Sequence, residues 1–242
     1  MLAVKCENLT KKYKEATALD GCTLQVEEGT LFGLLGVNGA GKTTLIKILC
    51  GLTRPTDGDA EVLDRSVKTQ MSEIKSLIAV SPQETSVAPK LTVRENLEFF
   101  AAVYYKDKAE RQSAVEEVIE TFSLGEALSR RAGKLSGGWQ RRLSIAVALI
   151  SRPKVLFLDE PTLGLDVLAR RELWKVIEKI KSRTTIILTS HYLEEIEALC
   201  DRVAILSKGR LAAEGTVGEI ISVSGEDTFE NAFVKIVTEA QK

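Results

Sequence analysis

One short run has residue types and spacing that suit the binding of a nucleoside triphosphate. The run GVNGAGKTT, from Gly36 to Thr44, matches the phosphate-binding pattern G-x-x-x-x-G-K-[ST] at Gly36, Gly41, Lys42 and Thr43. Glycines let the backbone turn tightly and direct several N–H groups to one point, and the helix that follows adds the positive end of its dipole. We expect Lys42 to reach the outer phosphates and the Thr43 hydroxyl to bind Mg²⁺.

A pair of carboxylates follows a second apolar stretch. Residues 155–160 read VLFLDE, so Asp159 and Glu160 stand where a short buried strand is predicted to end. In open α/β sheets, ligands bind at the carboxyl edge of the strands. We therefore predict that Asp159 holds Mg²⁺, directly or through water, and that Glu160 points towards an attacking water. The alternative is that two carboxylates end a strand in solvent.

A third run, LSGGWQ at residues 135–140, places small residues at the start of a predicted helix. Ser136 is a natural N-cap, and Gly137 and Gly138 expose backbone N–H groups. Two anion-binding helix ends beside one phosphate loop suggest a site that is shared between two copies of the chain. By local chemistry alone, a capped helix with a flexible entry is the better interpretation.

Two features of the sequence bear on which nucleotide base the site binds. The sequence contains no Asn-Lys-x-Asp, so the motif with which GTPases read guanine is missing. Tyr13 lies in a predicted polar loop between two early strands, where its ring could stack on a base with weak selectivity. An ordinary surface tyrosine fits the same position.

Length, charge and cysteine use bound the class of protein. The 242 residues suit one large domain or two small ones, and 33 Lys+Arg against 34 Asp+Glu argue against a general nucleic-acid binder. Four widely spaced cysteines indicate reduced thiols of a cytosolic protein. The single histidine, His191, excludes a multi-histidine zinc or iron site. No signal peptide or membrane-spanning run is visible, so work at a membrane would require a membrane-spanning partner.

The elements that must position these residues follow from the hydrophobic pattern. The predicted strands span residues 3–9, 18–26, 31–35, 60–63, 77–80, 155–158, 184–188 and 203–206. The predicted helices span residues 44–49, 92–103, 109–122, 136–150, 167–181, 192–199 and 229–237, with a further helix capped by Thr216. Residues 53–60 are predicted as a loop from their Pro, Gly and Asp content. Alternating strands and helices imply a mostly parallel sheet.

The motifs together resemble the ATP-binding subunit of an ABC transporter. GVNGAGKTT is similar to the Walker A motif of that family, VLFLDE to its Walker B motif and LSGGWQ to its signature motif. Residues 163–166 (LGLD) resemble its D-loop, His191 its switch histidine, Gln83 its Q-loop glutamine and Tyr13 its A-loop aromatic residue. The match covers nearly the whole chain. One position departs, since the fifth signature residue is usually Gln and is here Trp139.

The resemblance implies the fold. It is an α/β P-loop NTPase with a mostly parallel sheet core, N-terminal antiparallel strands and an inserted α-helical subdomain. Residues 1–242 then form a single ATP-binding domain, with the core at about 1–83 and 151–223. The helical subdomain covers about 84–150 and a C-terminal helix about 228–238.

The resemblance also implies a shared site. Two copies pack head to tail with two ATP molecules in the seam, and Ser136 and Gly138 of one copy cap the γ-phosphate held by the other. The implied catalytic residues are Glu160, which polarises the water, His191 and Lys42. The implied nucleotide-binding residues are Tyr13, Gly36, Asn38, Gly39, Ala40, Gly41, Lys42, Thr43, Thr44, Gln83, Ser136, Gly137, Gly138 and Asp166. The implied Mg²⁺ ligands are Thr43, Gln83 and Asp159.

Within the family, the segments around the motifs resemble ATPases of ABC-2-type and multidrug exporters. The implied function is ATP hydrolysis by a subunit that dimerises on ATP and powers substrate transport through a separate membrane permease. The direction implied by the resemblance is export. The implied location is the cytoplasmic side of the membrane, peripheral through that permease, with no nucleic-acid partner. A role as the subunit of an importer is a further option. The alternative from another class is a soluble ABC-type ATPase switch that controls a regulatory or nucleic-acid partner.

Overall fold

The computed structural model describes residues 1–240, so residues 241 and 242 of the predicted domain lie outside the described residues. The strands in this range are β1 (Leu2–Tyr13), β2 (Ala16–Glu27), β3 (Leu31–Gly36), β4 (Asp57–Val62), β5 (Arg65–Ser66), β6 (Ile78–Ser81), β7 (Val155–Asp159), β8 (Thr185–Thr189), β9 (Arg202–Ser207) and β10 (Arg210–Gly215). The α-helices are α1 (Lys42–Leu49), α2 (Met71–Lys75), α3 (Val93–Tyr104), α4 (Lys108–Thr121), α5 (Gly137–Leu149), α6 (Val167–Lys181), α7 (Leu193–Leu199), α8 (Val217–Ser224) and α9 (Phe229–Glu239).

The central sheet has the strand order β10-β9-β3-β8-β7-β6. Its strands pair in parallel except at β10, which runs antiparallel to β9. The prediction of a mostly parallel sheet is therefore confirmed. Because apolar layers cover both faces, strands such as β3 and β8 are buried along their whole length.

Alternate residues of the central strands face two separate apolar clusters. In β7, Leu156 and Leu158 belong to a cluster shared with α3–α9, whereas Val155 and Phe157 belong to a cluster shared with α1 and the N-terminal strands. This period of two is the ordinary consequence of side chains that alternate across a strand. The sheet is thus the middle of three layers.

The N-terminal sheet has the order β2-β1-β4-β5, and all its neighbours are antiparallel, as expected from the sequence. The prediction of a loop over residues 53–60 is wrong in its second half, because β4 begins at Asp57. Pairing of Thr10 with Asp57 and of Glu7 with Asp59 outweighs the low strand propensity of Asp and Gly.

The hydrophobic pattern did not predict two of the strands and one of the α-helices, namely β5, β10 and α2. Strands of two residues and helices of five are too short to show a period, and β10 forms an antiparallel edge after the turn at Gly209. The placement of Tyr13 in a loop is also wrong. Strand β1 continues to Tyr13, which pairs with Ala16 at the tip of the β1–β2 hairpin.

Helices α3, α4 and α5 fill the chain between β6 and β7. The predicted capping box is present at the start of α3, where the Thr92 side chain accepts from Glu95 N and the Glu95 carboxylate accepts from Thr92 N. A second capping box joins Thr216 and Glu219 at the start of α8. The division into a core and a helical subdomain remains a proposal, since both share one apolar cluster.

The strand order determines which loops meet. Strands β3, β8, β7 and β6 are neighbours and parallel, so their carboxyl ends lie at one edge of the sheet. Those ends lead into the glycine-rich loop after Gly36, into His191, into Glu160 and into Gln83, respectively. In the described part of the chain, no helix is long and apolar enough to span a lipid bilayer.

Candidate active site

The loop between β3 and α1 requires glycine at two positions. Gly36 and Gly41 have φ values of 149° and 109°, in the region that side chains disfavour. A Cβ at Gly36 would lie 2.5 Å from Leu206 O, and one at Gly41 would lie 2.6 Å from Ala18 O. The loop is therefore closely packed between β9 and β2, and its shape depends on the absence of side chains at these two positions.

Lys42 is the first residue of α1 and turns back into this loop. Its ammonium Nζ donates to Gly36 O at 2.5 Å and to Val37 O at 3.4 Å, and only 7% of the residue is exposed. Burial lowers the pKa of Lys42, while the negative charges of Glu160 and Asp159 oppose this shift. The two carboxylates thus act on the cation predicted to hold the outer phosphates.

Asp159 ends β7 and is fixed by the neighbouring strand. Thr189 pairs with Asp159 across β7 and β8, and its Oγ1 donates to Asp159 Oδ1 at 2.6 Å. This hydrogen bond orients the carboxylate at the carboxyl edge of the sheet and occupies one of its oxygens. The other oxygen remains available for a cation or its water shell.

Glu160 has a constrained backbone and a defined partner. Its φ of 49° is unusual for a residue other than glycine, and its N–H donates to Thr189 O at 3.1 Å and to Thr189 Oγ1 at 3.0 Å. Its carboxylate accepts from His191 Nε2 at 2.5 Å, and the Glu160 side chain is only 12% exposed. The structure brings Glu160, His191 and Lys42 together as the sequence predicted, and their catalytic roles remain proposals.

The predicted Mg²⁺ ligands supply oxygen atoms from three segments, namely a helix, a strand and a loop. Thr43 lies exposed in the first turn of α1, Asp159 ends β7, and Gln83 is an exposed residue after β6. Hydroxyl, carboxylate and amide oxygens are the hard ligands that Mg²⁺ takes when phosphate oxygens and water complete its shell. These residues therefore fit a magnesium ion bound with a triphosphate.

Ser136 occupies the N-cap position of α5, but its predicted capping hydrogen bond is absent from the described residues. Ser136 and Gly137 are exposed, while a Cβ at Gly138 would lie 3.1 Å from Ala169 Cβ near the start of α6. The serine hydroxyl and the first N–H groups of α5 thus stay available to a ligand from outside. The start of α5 lies against the start of α6, not in the glycine-rich loop.

The unusual Trp139 contributes packing instead of a polar contact. Its ring packs against the larger apolar cluster, and the Arg142 guanidinium lies over it at 5.5 Å from the ring centre. The amide of Gln140 turns back and donates to Leu135 O at 3.0 Å. The two side chains after Gly138 therefore stabilise the start of α5 from within the same chain.

Tyr13 lies at the tip of the β1–β2 hairpin and Asp166 at the start of α6. Tyr13 is 44% exposed, with the Lys11 ammonium 4.9 Å from its ring centre. Its hairpin reaches the glycine-rich loop, because Ala18 O lies against Gly41. Asp166 is the N-cap of α6, and its Oδ1 accepts from Ala169 N at 2.9 Å. Their predicted nucleotide contacts remain proposals.

Sequence reasoning missed two buried charged residues behind the site, Arg141 and Glu195. Arg141 on α5 is 4% exposed and donates to the carbonyl oxygens of Pro82, Gln83, Asp159 and Pro161. The available signal was its spacing, because Arg141 lies three and four residues before the buried Ser144 and Ile145. A charged residue on the buried face of a helix usually has specific partners.

Glu195 on α7 anchors the segment that carries His191. The Glu195 carboxylate is fully buried and accepts from Ser190 Oγ at 2.5 Å and from Trp174 Nε1 at 3.0 Å. Ser190 Oγ also accepts from Tyr192 N at 3.0 Å, so the hydroxyl links the residues on both sides of His191. Burial raises the pKa of Glu195, against the effect of these hydrogen bonds.

Replacement of Glu195 by Gln is expected to change how stability depends on pH. Because the folded-state pKa of Glu195 is raised, its contribution is full below the ordinary value of 4.5 and is lost as pH rises through the folded-state pKa. The amide does not titrate, so the free energy of unfolding of Glu195→Gln relative to wild type should increase as pH rises. Urea unfolding from about pH 4 to about pH 8 measures this difference. Glu194→Gln, an exposed neighbour, is the control, and a pH-independent difference for Glu195→Gln would contradict the prediction.

Comparison with known proteins places these features in a family. The family model described as ABC transporter matches residues 19–163. The chain is 41% identical over 229 residues to the daunorubicin resistance ATP-binding protein DrrA2 of Streptomyces coeruleorubidus, covering 94% of this chain and 71% of that protein. It is 36% identical over 245 residues to the probable multidrug ABC transporter ATP-binding protein YbhF of Escherichia coli K12, covering 99% of this chain and 42% of that protein.

Solved structures agree with this grouping. The ATP-binding subunit of an ABC transporter superposes with a TM-score of 0.85 and 28% identity, covering 97% of this chain and 99% of the other. A dimeric ATP-binding cassette in a post-hydrolysis state, bound to ADP and Pi, superposes with a TM-score of 0.78 and 26% identity, covering 88% of this chain and 98% of the other. The α/β P-loop fold expected from the sequence is therefore confirmed.

Proposed function

This chain belongs to the ABC transporter family of ATP-binding proteins, and from that membership we propose that it hydrolyses ATP to drive an export permease. Two copies close on two ATP molecules, hydrolyse them and separate. Their movement opens and closes a pathway built from separate membrane subunits. The Thr43 hydroxyl, the Asp159 carboxylate and the Gln83 amide would hold Mg²⁺ with the triphosphate, and the bound ion would neutralise charge on the phosphate oxygens.

The observation that carries the proposal is the convergence of Lys42, Glu160 and His191 at one edge of the sheet. Glu160 accepts a hydrogen bond from His191, and its charge acts on the buried Lys42. A carboxylate beside a phosphate-binding lysine suits hydrolysis, since it accepts a proton from the attacking water while the ammonium stabilises charge on the transferred phosphoryl group. The glycine-rich loop supplies N–H groups for the remaining phosphate oxygens.

The exposed signature residues support a shared site. Ser136 is exposed and its hydroxyl caps no N–H of its own helix in the described structure. The first N–H groups of α5 have no carbonyl partner within the helix. In the proposed dimer, these donors reach the γ-phosphate of the ATP held by the other copy. The dimeric cassette with ADP and Pi is a precedent among proteins of the same fold.

Export is the favoured direction because of the relatives. DrrA2 is named for daunorubicin resistance and YbhF as a multidrug transporter protein, and both are ATP-binding components. We extend this to the present chain as export of a substrate that the permease selects. The chain then works at the cytoplasmic face of the membrane, attached through its permease partner.

Membrane attachment separates this proposal from a soluble regulatory ATPase. A multi-span membrane protein is expected to be encoded beside this chain. Membranes that contain this multi-span protein should retain the ATP-binding chain, whereas membranes that lack the multi-span protein should not. The same membranes should show ATP hydrolysis that responds to transported compounds. A chain that stays unbound in the presence of the membrane protein, and whose ATPase rate responds to nucleic acid instead, would contradict the proposal.

A further inference from the structure

Arg141 on α5 is hydrogen-bonded to the loop after β6, to the end of β7 and to the turn that follows β7. Its Nη1 donates to Pro82 O at 2.5 Å and to Gln83 O at 3.1 Å, in the loop after β6. Its Nη2 donates to Asp159 O at 2.8 Å, at the end of β7, and its Nε donates to Pro161 O at 2.8 Å, in the turn that follows. One side chain on α5 thus holds four backbone carbonyls.

Two of these carbonyls belong to the residues on either side of Glu160. Asp159 O precedes Glu160 and Pro161 O follows it, while Glu160 itself has a φ of 49°. A residue in this sparsely populated region persists only where its surroundings hold it. Arg141 and Thr189 supply those constraints, with Thr189 fixing the N–H and Arg141 fixing the flanking carbonyls.

The same guanidinium fixes the backbone of Gln83, and a second residue of α5 acts on the same loop. Ser144 Oγ accepts from Ser86 N at 3.2 Å and lies 3.4 Å from Ser81 Oγ. The helix that begins with the exposed Ser136 and Gly137 is therefore attached to the loop of Gln83 and to the turn of Glu160. A displacement of α5 reaches both loops through Arg141.

The chemistry requires arginine at this position. The guanidinium is planar and offers five N–H donors in a fixed fork, which matches four carbonyls approaching from different segments. Burial lowers the pKa of Arg141 to about 10, which still leaves the group charged at neutral pH. A lysine ammonium has three donors on a single atom and reaches fewer of these carbonyls.

We propose that Arg141 is a positioning residue that sets Glu160 for catalysis by tying its turn to α5 and to the Gln83 loop. This inference rests on the proposed ATPase function and adds a residue that touches neither nucleotide nor metal. It acts through the backbone, so its loss should alter the turnover rate and leave nucleotide affinity nearly unchanged. None of its hydrogen-bond partners in the described residues belongs to the loop that holds the phosphates.

The test compares Arg141→Lys and Arg141→Met with Arg152→Met. Arg152 is an exposed arginine that pairs with Glu117 at 2.8 Å, near the amino end of β7, and serves as the matched control. We expect the Arg141 variants to lower kcat by about 10- to 100-fold, because small misplacement of a reacting group costs such factors. The dissociation constant for a fluorescent ATP analogue should change by less than about threefold, as expected where ground-state binding is intact.

A double-mutant cycle with Glu160→Gln separates positioning from general damage. If Arg141 acts through Glu160, Arg141→Lys should not lower further the residual single-turnover rate of Glu160→Gln. Additive losses, a kcat near that of wild type, or equal losses of kcat and nucleotide affinity would each overturn the proposal. Failure of Arg141→Lys to fold, while Arg152→Met folds, would also overturn it and make Arg141 a stability residue. A wild-type chain without ATPase activity would instead refute the proposed function.

Discussion

Glu160→Gln should bind ATP with nearly unchanged affinity and hydrolyse it about 10²- to 10⁴-fold more slowly, the usual effect of removing a placed general base. The amide has nearly the same shape as the carboxylate, and its oxygen can still accept from His191 Nε2, now 2.5 Å from the Glu160 carboxylate. It cannot take a proton from water. A long-lived ATP-bound dimer should therefore accumulate. Binding of a fluorescent ATP analogue measures the affinity, single-turnover hydrolysis measures the rate, and size-exclusion chromatography with ATP detects the dimer.

The control for this variant is Glu178→Gln, an exposed carboxylate on α6 at some distance along the chain from the site. It should hydrolyse ATP at the wild-type rate. If Glu160→Gln hydrolysed ATP at the wild-type rate, another group would have to activate the water. Loss of ATP binding would mean that Glu160 serves mainly to balance the charge of Lys42, on which it acts in the folded chain.

Much of this site is predictable because its signals are local. The glycines, Lys42 and Thr43 form one continuous motif, and Asp159 and Glu160 directly follow a buried strand. Parallel strands place their carboxyl ends at one edge, so the convergence of these loops follows from the fold class. The capping box at Thr92 is likewise a local signal, and it is present as expected.

The remainder depends on long-range pairing, which leaves little trace in a local pattern. Asp57 and Gly58 have turn-like character, yet the pairing of β4 with β1 makes them part of a strand. Ser136 is a favoured N-cap type, yet its hydroxyl leaves the helix uncapped in the described structure. Arg141 shows only that a charge shares a helix face with buried residues, and its four carbonyl partners come from segments 18 to 59 residues away.

Ser136→Glu, introduced into the Glu160→Gln chain, should weaken the ATP-bound dimer by about 30-fold or more. This factor corresponds to about 2 kcal/mol, the size of a strong interface residue. A carboxylate at the start of α5 would face the γ-phosphate of the other copy's ATP, and the two negative charges would repel each other. Analytical ultracentrifugation with ATP measures the dimer dissociation constant. Binding of ATP to each separate chain should persist, because the glycine-rich loop and Lys42 are unchanged.

The negative charge of the new side chain distinguishes loss of a shared site from loss of the fold. A negative charge at a helix N-terminus usually stabilises the helix by about 0.3–1 kcal/mol, so the isolated chain should be as stable as its parent. Ser129→Glu in the same background adds the same charge at an exposed position of the helical region and should leave the dimer intact. If Ser136→Glu abolishes ATP binding to the single chain, the serine contacts nucleotide within its own copy. If the dimer is as tight as in the Ser129→Glu control, Ser136 lies outside the interface and each copy completes its own site.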